Sequence, residues 1–359
     1  MIIVQVKQVF KMLKTTAKNC CIHHALTILI GSVFGFSIML SIVLSHMSHL
    51  SPFEQHRDMH DMTIRMLDTS QLSPSSLEGN SDDGEKFDKP NGRNLTNSDL
   101  GFIINPKYLC PSKKIDLIIC IISAPSNFDR RYLIRRTWGH PNVTGESVAI
   151  AFVLGAPIDE RLLVDIDQES NRFGDIILGQ FSDHYENLTI KSVLAFSWAS
   201  RFCDAMFFLK VDDDVLVNMF ALQRFAVNLK KHNDTVNIIF CMLQRSSLPY
   251  RKGKYAVSNW EYPGKVYPSF CSGPAYFMSI EVTALLYKAA INRPMFRLED
   301  VYLTGFLRQE LGLRITQGYK AYANKRMFDQ VLRKSFLLFA HSQNNTSKFE
   351  QLWSSVKKS

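Results

Sequence analysis

Phe207-Phe-Leu-Lys-Val-Asp-Asp-Asp-Val-Leu-Val-Asn218 is the stretch whose reading decides the fold. An apolar run (Phe207, Phe208, Leu209, Val211) leads straight into Asp212, Asp213 and Asp214, and a second apolar run, Val215 to Val217, follows before Asn218. Three carboxylates at the exit of a buried strand repel one another by several kcal/mol unless a cation neutralises them. Hard oxygen ligands suit Mg²⁺ or Mn²⁺, which bind through one or two carboxylates plus substrate phosphates. An arbitrary Asp triplet is as readily a solvated turn between strands. Here the apolar flanks put it at the carboxyl end of a buried strand, where open α/β sheets bind ligands.

Outward from this stretch the pattern alternates. Ile115 to Ile122, Val148 to Leu154 and Asp175 to Leu178 read as strands, the first two buried on both faces. Arg130 to Gly139, Asp159 to Phe173 and Tyr185 to Phe202 read as helices between them. Such alternation predicts an α/β fold with a mostly parallel sheet and helices on both faces. Asn218 is placed to cap a helix from Met219 to Lys231. Past Ile238 to Met242 the chain becomes turn-rich and aromatic up to Tyr276, as loops forming a binding surface would be. Glu281 to Ile291 reads as a helix, and Glu299 and Asp300 stand ahead of an apolar helix, Val301 to Leu311, at its positively polarised end.

The 359 residues divide by composition. Residues 1–24 carry Lys7, Lys11, Lys14 and Lys18 and no acid, so they read as a cytosolic tail. Residues 25–45 are uncharged for 21 residues, enough at about 1.5 Å per residue to cross a hydrocarbon core of about 30 Å, and too long for a cleaved signal. Basic residues before the segment and none directly after it place the N-terminus in the cytosol, giving a single-pass type II protein. Residues 46–107 hold ten acids against six Lys or Arg without a sustained apolar period, and read as a flexible lumenal stem. Residues 108–359 hold 32 Lys or Arg against 23 acids and read as the folded domain, its basic balance suiting an anionic nucleotide diphosphate. Sequons at Asn94, Asn142, Asn187, Asn233, Asn344 and Asn345 all follow the apolar segment. So do five of the seven cysteines, with no zinc-like spacing; disulfides are permitted there, and Cys120, inside an apolar run, is the expected buried thiol.

The stretches Ile134-Arg-Arg-Thr-Trp-Gly139, Phe152-Val-Leu-Gly155, Gly174-Asp-Ile-Ile with Phe181 to Lys191, Lys210 to Asn218, Tyr267 to Tyr276, Glu299 to Gly305, and Ala340-His-Ser with Trp353 stand in a recognisable order. Over residues 108–359 the chain resembles the β-1,3-glycosyltransferases, the galactosyltransferase family of Golgi enzymes distantly related to Fringe. The resemblance implies a glycosyltransferase A-type fold, a Rossmann-like nucleotide half merged with an acceptor half. It implies an inverting hexosyltransferase that moves galactose or an N-acetylhexosamine from a UDP-sugar, with Mn²⁺ (or Mg²⁺), to a glycan on a glycoprotein or glycolipid. A β-1,3 linkage would form at the lumenal face of the Golgi membrane, with no nucleic-acid partner. Residue by residue it implies Asp214 and His341 as metal ligands, with Asp212 on the metal, a metal-bound water or the ribose. Asp213, Arg131, Arg135 and Trp138 would lie near the nucleotide. Asp300 would be the general base for the acceptor hydroxyl, and Glu299, Tyr276 and Trp260 would face the acceptor.

One departure stands out. Gly273-Pro-Ala-Tyr276 replaces the family's Gly-x-Gly-Tyr, so Ala275 adds a Cβ that is expected to alter acceptor fit. Two other classes compete with transfer: a catalytically silent lectin or chaperone of the same fold, and a metal-dependent nucleotide-sugar hydrolase. Acceptor-dependent release of UDP separates them.

Overall fold

The computed structural model describes residues 87–96, 98–110, 114–232, 235–318, 321–323, 338–341 and 346–356. The tail, the 25–45 segment, most of the stem and the sequons at Asn233, Asn344 and Asn345 lie outside them. Among the described residues no helix is long and apolar enough to cross a membrane.

Four parallel strands form the centre of an eight-stranded sheet: β2 (Ile115–Ile122), β3 (Val148–Ala156), β4 (Ile176–Ser182) and β5 (Ala205–Asp212), in the order β4-β3-β2-β5. Their apolar side chains are buried almost throughout, as unbroken runs of Ile, Val, Leu and Phe require when helices cover both faces. The crossovers carry α1 (Phe128–Arg135), the short α2 (Pro141–Thr144), α3 (Glu160–Phe173) and α4 (Leu188–Phe202). Asp159 caps α3 and Gly174 ends it in the left-handed conformation, φ 66°, which a glycine adopts without steric cost. In α4 nearly every residue from Thr189 to Ala199 is buried, including Lys191. Asn218 accepts from the Ala221 amide and caps α5 (Met219–Lys231), as expected.

The rest of the sheet is mostly antiparallel. β8 (Phe270–Ser279) runs antiparallel to β5, β7 (Ile239–Gln244) antiparallel to β8, and β9 (Thr316–Gln317) parallel to β7. On the opposite edge β1 (Phe102–Ile104) pairs antiparallel with β4. Residues 102–104 fall within the stretch that composition reads as stem, yet form a strand. Leu95 and Leu100 are also buried, so the ordered structure begins before Tyr108, in an edge too short to show a period. Asn94, a predicted sequon, bridges Pro294 there. A second sheet joins β6 (Val215–Val217), β11 (Phe339–His341) and β10 (Tyr322–Ala323).

After β8 come α6 (Ile280–Ala290) and α7, which opens at Glu299–Val301, widens to π-helical turns over Tyr302–Leu307 and closes with Arg308–Glu310. The Thr304 hydroxyl donates to the Asp300 carbonyl and accepts from the Cys271 amide, fixing this start against β8. A last helix, α8, spans Thr346–Val356. Cys110–Cys203 and Cys241–Cys271 form disulfides, and Cys120 is a buried free thiol as anticipated. The second disulfide ties β7 to β8 where their register shifts.

Candidate active site

In sequence order the parallel strands are laid down 3-2-1-4, so chain direction across the sheet reverses between β2 and β5. A crevice opens at the carboxyl ends of such a pair. Ile122, the last residue of β2, pairs with Asp212, the last of β5, so the Asp triplet stands at its mouth.

The three carboxylates have different surroundings. Asp213 is buried and saturated: one oxygen accepts from the Ser123 hydroxyl (2.7 Å) and Asn127 Nδ2 (2.8 Å), the other from Arg130 (2.8 Å). Asp213, expected near the nucleotide, therefore anchors the loop after β2. Asp214 lies 3.3 Å from His341 Nε2, because β11 pairs with β6 and sets His341 opposite Val215. Asp212 is partly exposed and accepts from Lys210 Nζ at 2.6 Å.

Arg131 and Arg135, expected near the nucleotide, are engaged within the protein. Arg131 is wholly buried; its guanidinium holds Glu169 at 2.7 to 3.0 Å, the Ser123 hydroxyl and the carbonyls of Ala124 and Pro125. Arg135 grips Glu169 at 2.6 Å and Asp175 at 2.8 Å and lies over the rings of Phe152 and Phe173. Trp138 is fully buried. The two arginines brace the wall below the loop after β2. Lys191 extends it: its ammonium joins the Ser123 carbonyl (2.9 Å) to Asp183 (2.7 Å), whose carboxylate also takes the Gly155 amide, tying together the ends of β2, β3 and β4. Burial pushes the Lys191 pKa down, against Asp183.

At the opposite lip, Glu299 and Asp300 occupy the first turn of α7 and do different things. Glu299 is 2% exposed, takes the Tyr276 hydroxyl, and lies 3.9 Å from Lys210 Nζ. Burial raises its carboxyl to about 7, with Lys210 opposing. Glu299 and Tyr276 are both buried and bonded to each other, which supports the start of α7 against β8. Asp300 is partly exposed; one oxygen accepts from the Val301 amide at 2.9 Å, and burial raises its pKa while that amide and Lys210 oppose the rise. Gly273 sits against it: a Cβ there would come within 3.2 Å of Asp300 Oδ2. Ala275, expected to alter acceptor fit, is buried with its carbonyl taken by Tyr322, so its methyl group faces the interior. Pro274 falls where the β7–β8 ladder shifts register, a place in a sheet that tolerates a residue with no N–H.

Trp260 is 71% exposed, on the turn whose Glu261 holds Arg297 at 2.8 Å. Sequence reasoning missed Tyr185. Its phenol is pushed up to about 12 by burial, then by Tyr255, Asp300 and Asp212, with Arg297 opposing. Its ring lies 6.2 Å from that of Tyr255, and Lys254 Nζ stands 4.8 Å from the one and 5.4 Å from the other. Lys210 was missed as well, since one basic residue inside an apolar strand carries no signal of its own.

Among the described residues no group of three His, Cys, Asp or Glu side chains forms a metal cage. Asp214 and His341 nevertheless offer an adjacent oxygen and imidazole nitrogen, a donor set that fits a divalent ion completing its shell with substrate phosphates and water.

A crevice at the strand switch, acidic on both lips, lies where open α/β sheets bind their ligands. The galactosyltransferase family model matches residues 129–318, a stretch that includes Asp212 to Asp214 and Asp300. The chain belongs to the galactosyltransferase family. It is similar to human Beta-1,3-galactosyltransferase 9, 35% identical over 214 residues, 59% of this chain and 58% of that protein. Human Beta-1,3-galactosyltransferase 5 is 33% identical over 245 residues, 67% of this chain and 77% of that protein. Among solved structures, a glycosyltransferase involved in glycosylation of the major capsid of PBCV-1 aligns at TM-score 0.36 and 11% identity, over 66% of this chain and 98% of that one.

Proposed function

We propose that this protein is an inverting glycosyltransferase of the A type that moves a hexose, galactose or an N-acetylhexosamine, from a UDP-sugar to an acceptor glycan hydroxyl, forming a β-1,3 linkage. The observation that carries this reading is the pairing of two acidic lips across the strand-switch crevice: Asp212 and Asp214 at the end of β5, and Asp300 at the start of α7. Asp214 and His341 would hold Mn²⁺ or Mg²⁺, with Asp212 toward the ribose or a water on the ion. The metal, when bound, neutralises charge on the departing diphosphate.

Asp300 takes the acceptor proton, and the upward push that burial gives its pKa raises its affinity for that proton. Tyr185 and Tyr255, with Lys254 over both rings, offer an aromatic and basic surface to the acceptor sugar. The two disulfides suit an oxidising lumen, and with the apolar 25–45 segment they support a single-pass type II enzyme of the Golgi membrane.

A donor-by-acceptor array reading UDP release and product linkage tests the reading. Acceptor-dependent UDP release with a β-linked product is expected, and Asp300→Asn should lower turnover by about 10² to 10⁴. Free sugar released without acceptor would make the protein a hydrolase; no turnover with any donor would make it a binding protein.

A further inference from the structure

The strongest feature the proposed mechanism leaves unused is a buried ammonium. Lys210 is 1% exposed, in the middle of the sheet, one strand across from Tyr276. A charge so placed costs several kcal/mol to desolvate unless its surroundings return it. They do so with unusual concentration. Nζ donates to Asp212 Oδ1 at 2.6 Å and to the Gly273 carbonyl at 2.6 Å, lies 3.9 Å from Glu299 Oε2, and stands 5.6 Å from the centre of the Tyr276 ring.

The two short bonds lead to opposite lips. Asp212 belongs to the acidic end of β5. Gly273 touches the other side: a Cβ on it would lie only 3.2 Å from Asp300 Oδ2. One glycine thus accepts from Lys210 through its carbonyl and lies against the Asp300 carboxylate. Glu299, the chain neighbour of Asp300, is tied to the same ammonium on one oxygen and to the Tyr276 hydroxyl on the other. A lysine holding β5 to β8 for stability alone has no need to end on Asp212 and on the glycine that lies against Asp300.

We propose that Lys210 is a positioning residue: its ammonium sets the distance between the donor side of the crevice, at Asp212, and the base side, at Asp300, through the Gly273 peptide. The inference rests on Asp300 acting as base in glycosyl transfer. Lys210 touches no substrate and acts only through what it holds. A 1 Å error in such a spacing costs about 10² in rate.

The test is a double-mutant cycle on the full-length, detergent-solubilised protein, measuring kcat and donor KM for wild type, Lys210→Met, Asp300→Asn and the pair. Met keeps the stem of the side chain and removes the charge and both bonds. If Lys210 works through the placement of Asp300, Lys210→Met lowers kcat about a hundredfold with donor KM changed less than about threefold. In the Asp300→Asn background it then adds less than about threefold, since there is no base left to misplace. A hundredfold loss in both backgrounds, or a loss that tracks the folded fraction in a thermal melt, would overturn the proposal.

Gly273→Ala supplies a second cycle that leaves Lys210 in place and pushes a methyl group to 3.2 Å from Asp300 Oδ2. It should show the same non-additivity with Asp300→Asn. This cycle decides the matter if Lys210→Met does not fold, and additivity in it would overturn the relay through Gly273. The wild-type arm keeps the two ideas apart. Turnover with additive cycles refutes the positioning role alone, whereas absent turnover refutes the transferase reading and the inference with it.

Discussion

Replacing Arg131 with Met separates a wall residue from a nucleotide contact. The guanidinium is fully buried and is spent on Glu169, the Ser123 hydroxyl and the carbonyls of Ala124 and Pro125. Met fills a similar volume, so the loss is electrostatic rather than a cavity. Removing one partner of a buried ion pair costs about 3–5 kcal/mol, because the other charge stays buried. Arg135 still reaches Glu169 at 2.6 Å, which argues for the lower end, about 3 kcal/mol. For a domain of this size each kcal/mol moves the melting temperature by about 2–4 °C, so Arg131→Met should melt about 6–12 °C lower. Calorimetric titration with UDP and Mn²⁺ well below that temperature should return the wild-type affinity within about threefold. An unchanged melting temperature with UDP binding weakened tenfold or more would refute the reasoning and return Arg131 to the nucleotide.

Asp214→Ala should weaken UDP binding in the presence of Mn²⁺ by at least about tenfold while leaving metal-free binding and the melting temperature near wild type, since it deletes a donor and relieves repulsion; titration with and without metal reads both, and equal affinities would make the triplet structural. Folded Glu299 keeps its proton to about pH 7, whereas an unfolded carboxyl loses it near 4.5, so wild-type stability should fall as pH rises through that window. Denaturant melts should show Glu299→Gln free of about 3 kcal/mol of that decline, and parallel slopes would refute the assignment. Tyr185→Ala should raise acceptor KM about 2- to 10-fold, the worth of one ring face, with donor KM unchanged. A donor KM that rises instead would move Tyr185 to the nucleotide side.

Much of the site was legible in order but not in role. Asp212 to Asp214 announce themselves because three adjacent carboxylates after an apolar run are costly anywhere but at a ligand site. Which of them faces outward is settled by contacts with Ser123, Asn127 and Arg130, more than 80 residues away, and these withdraw Asp213. Glu299 and Asp300 are chain neighbours, but successive helical residues point about 100° apart, so packing against Tyr276 buries one and leaves the other at the crevice. Arg131 and Arg135 look like phosphate binders until Glu169 and Asp175 arrive on another crossover.

The parallel half of the sheet follows from the sequence alone, because strands buried on both faces must be apolar throughout and the crossovers between them must be helices. The resemblance also brought Asp214 and His341 together before their pairing through β6 and β11 was seen. The antiparallel half, the edge strand at Phe102–Ile104 and the disulfide partners were decided only by tertiary structure, since short strands and cysteine spacings carry no pairing information. Lys210 is the clearest case of that division. Its chemistry is plain in the sequence, but its meaning depends on Gly273, 63 residues further on, and a hydrogen bond between such distant points exists only once β5 and β8 lie side by side.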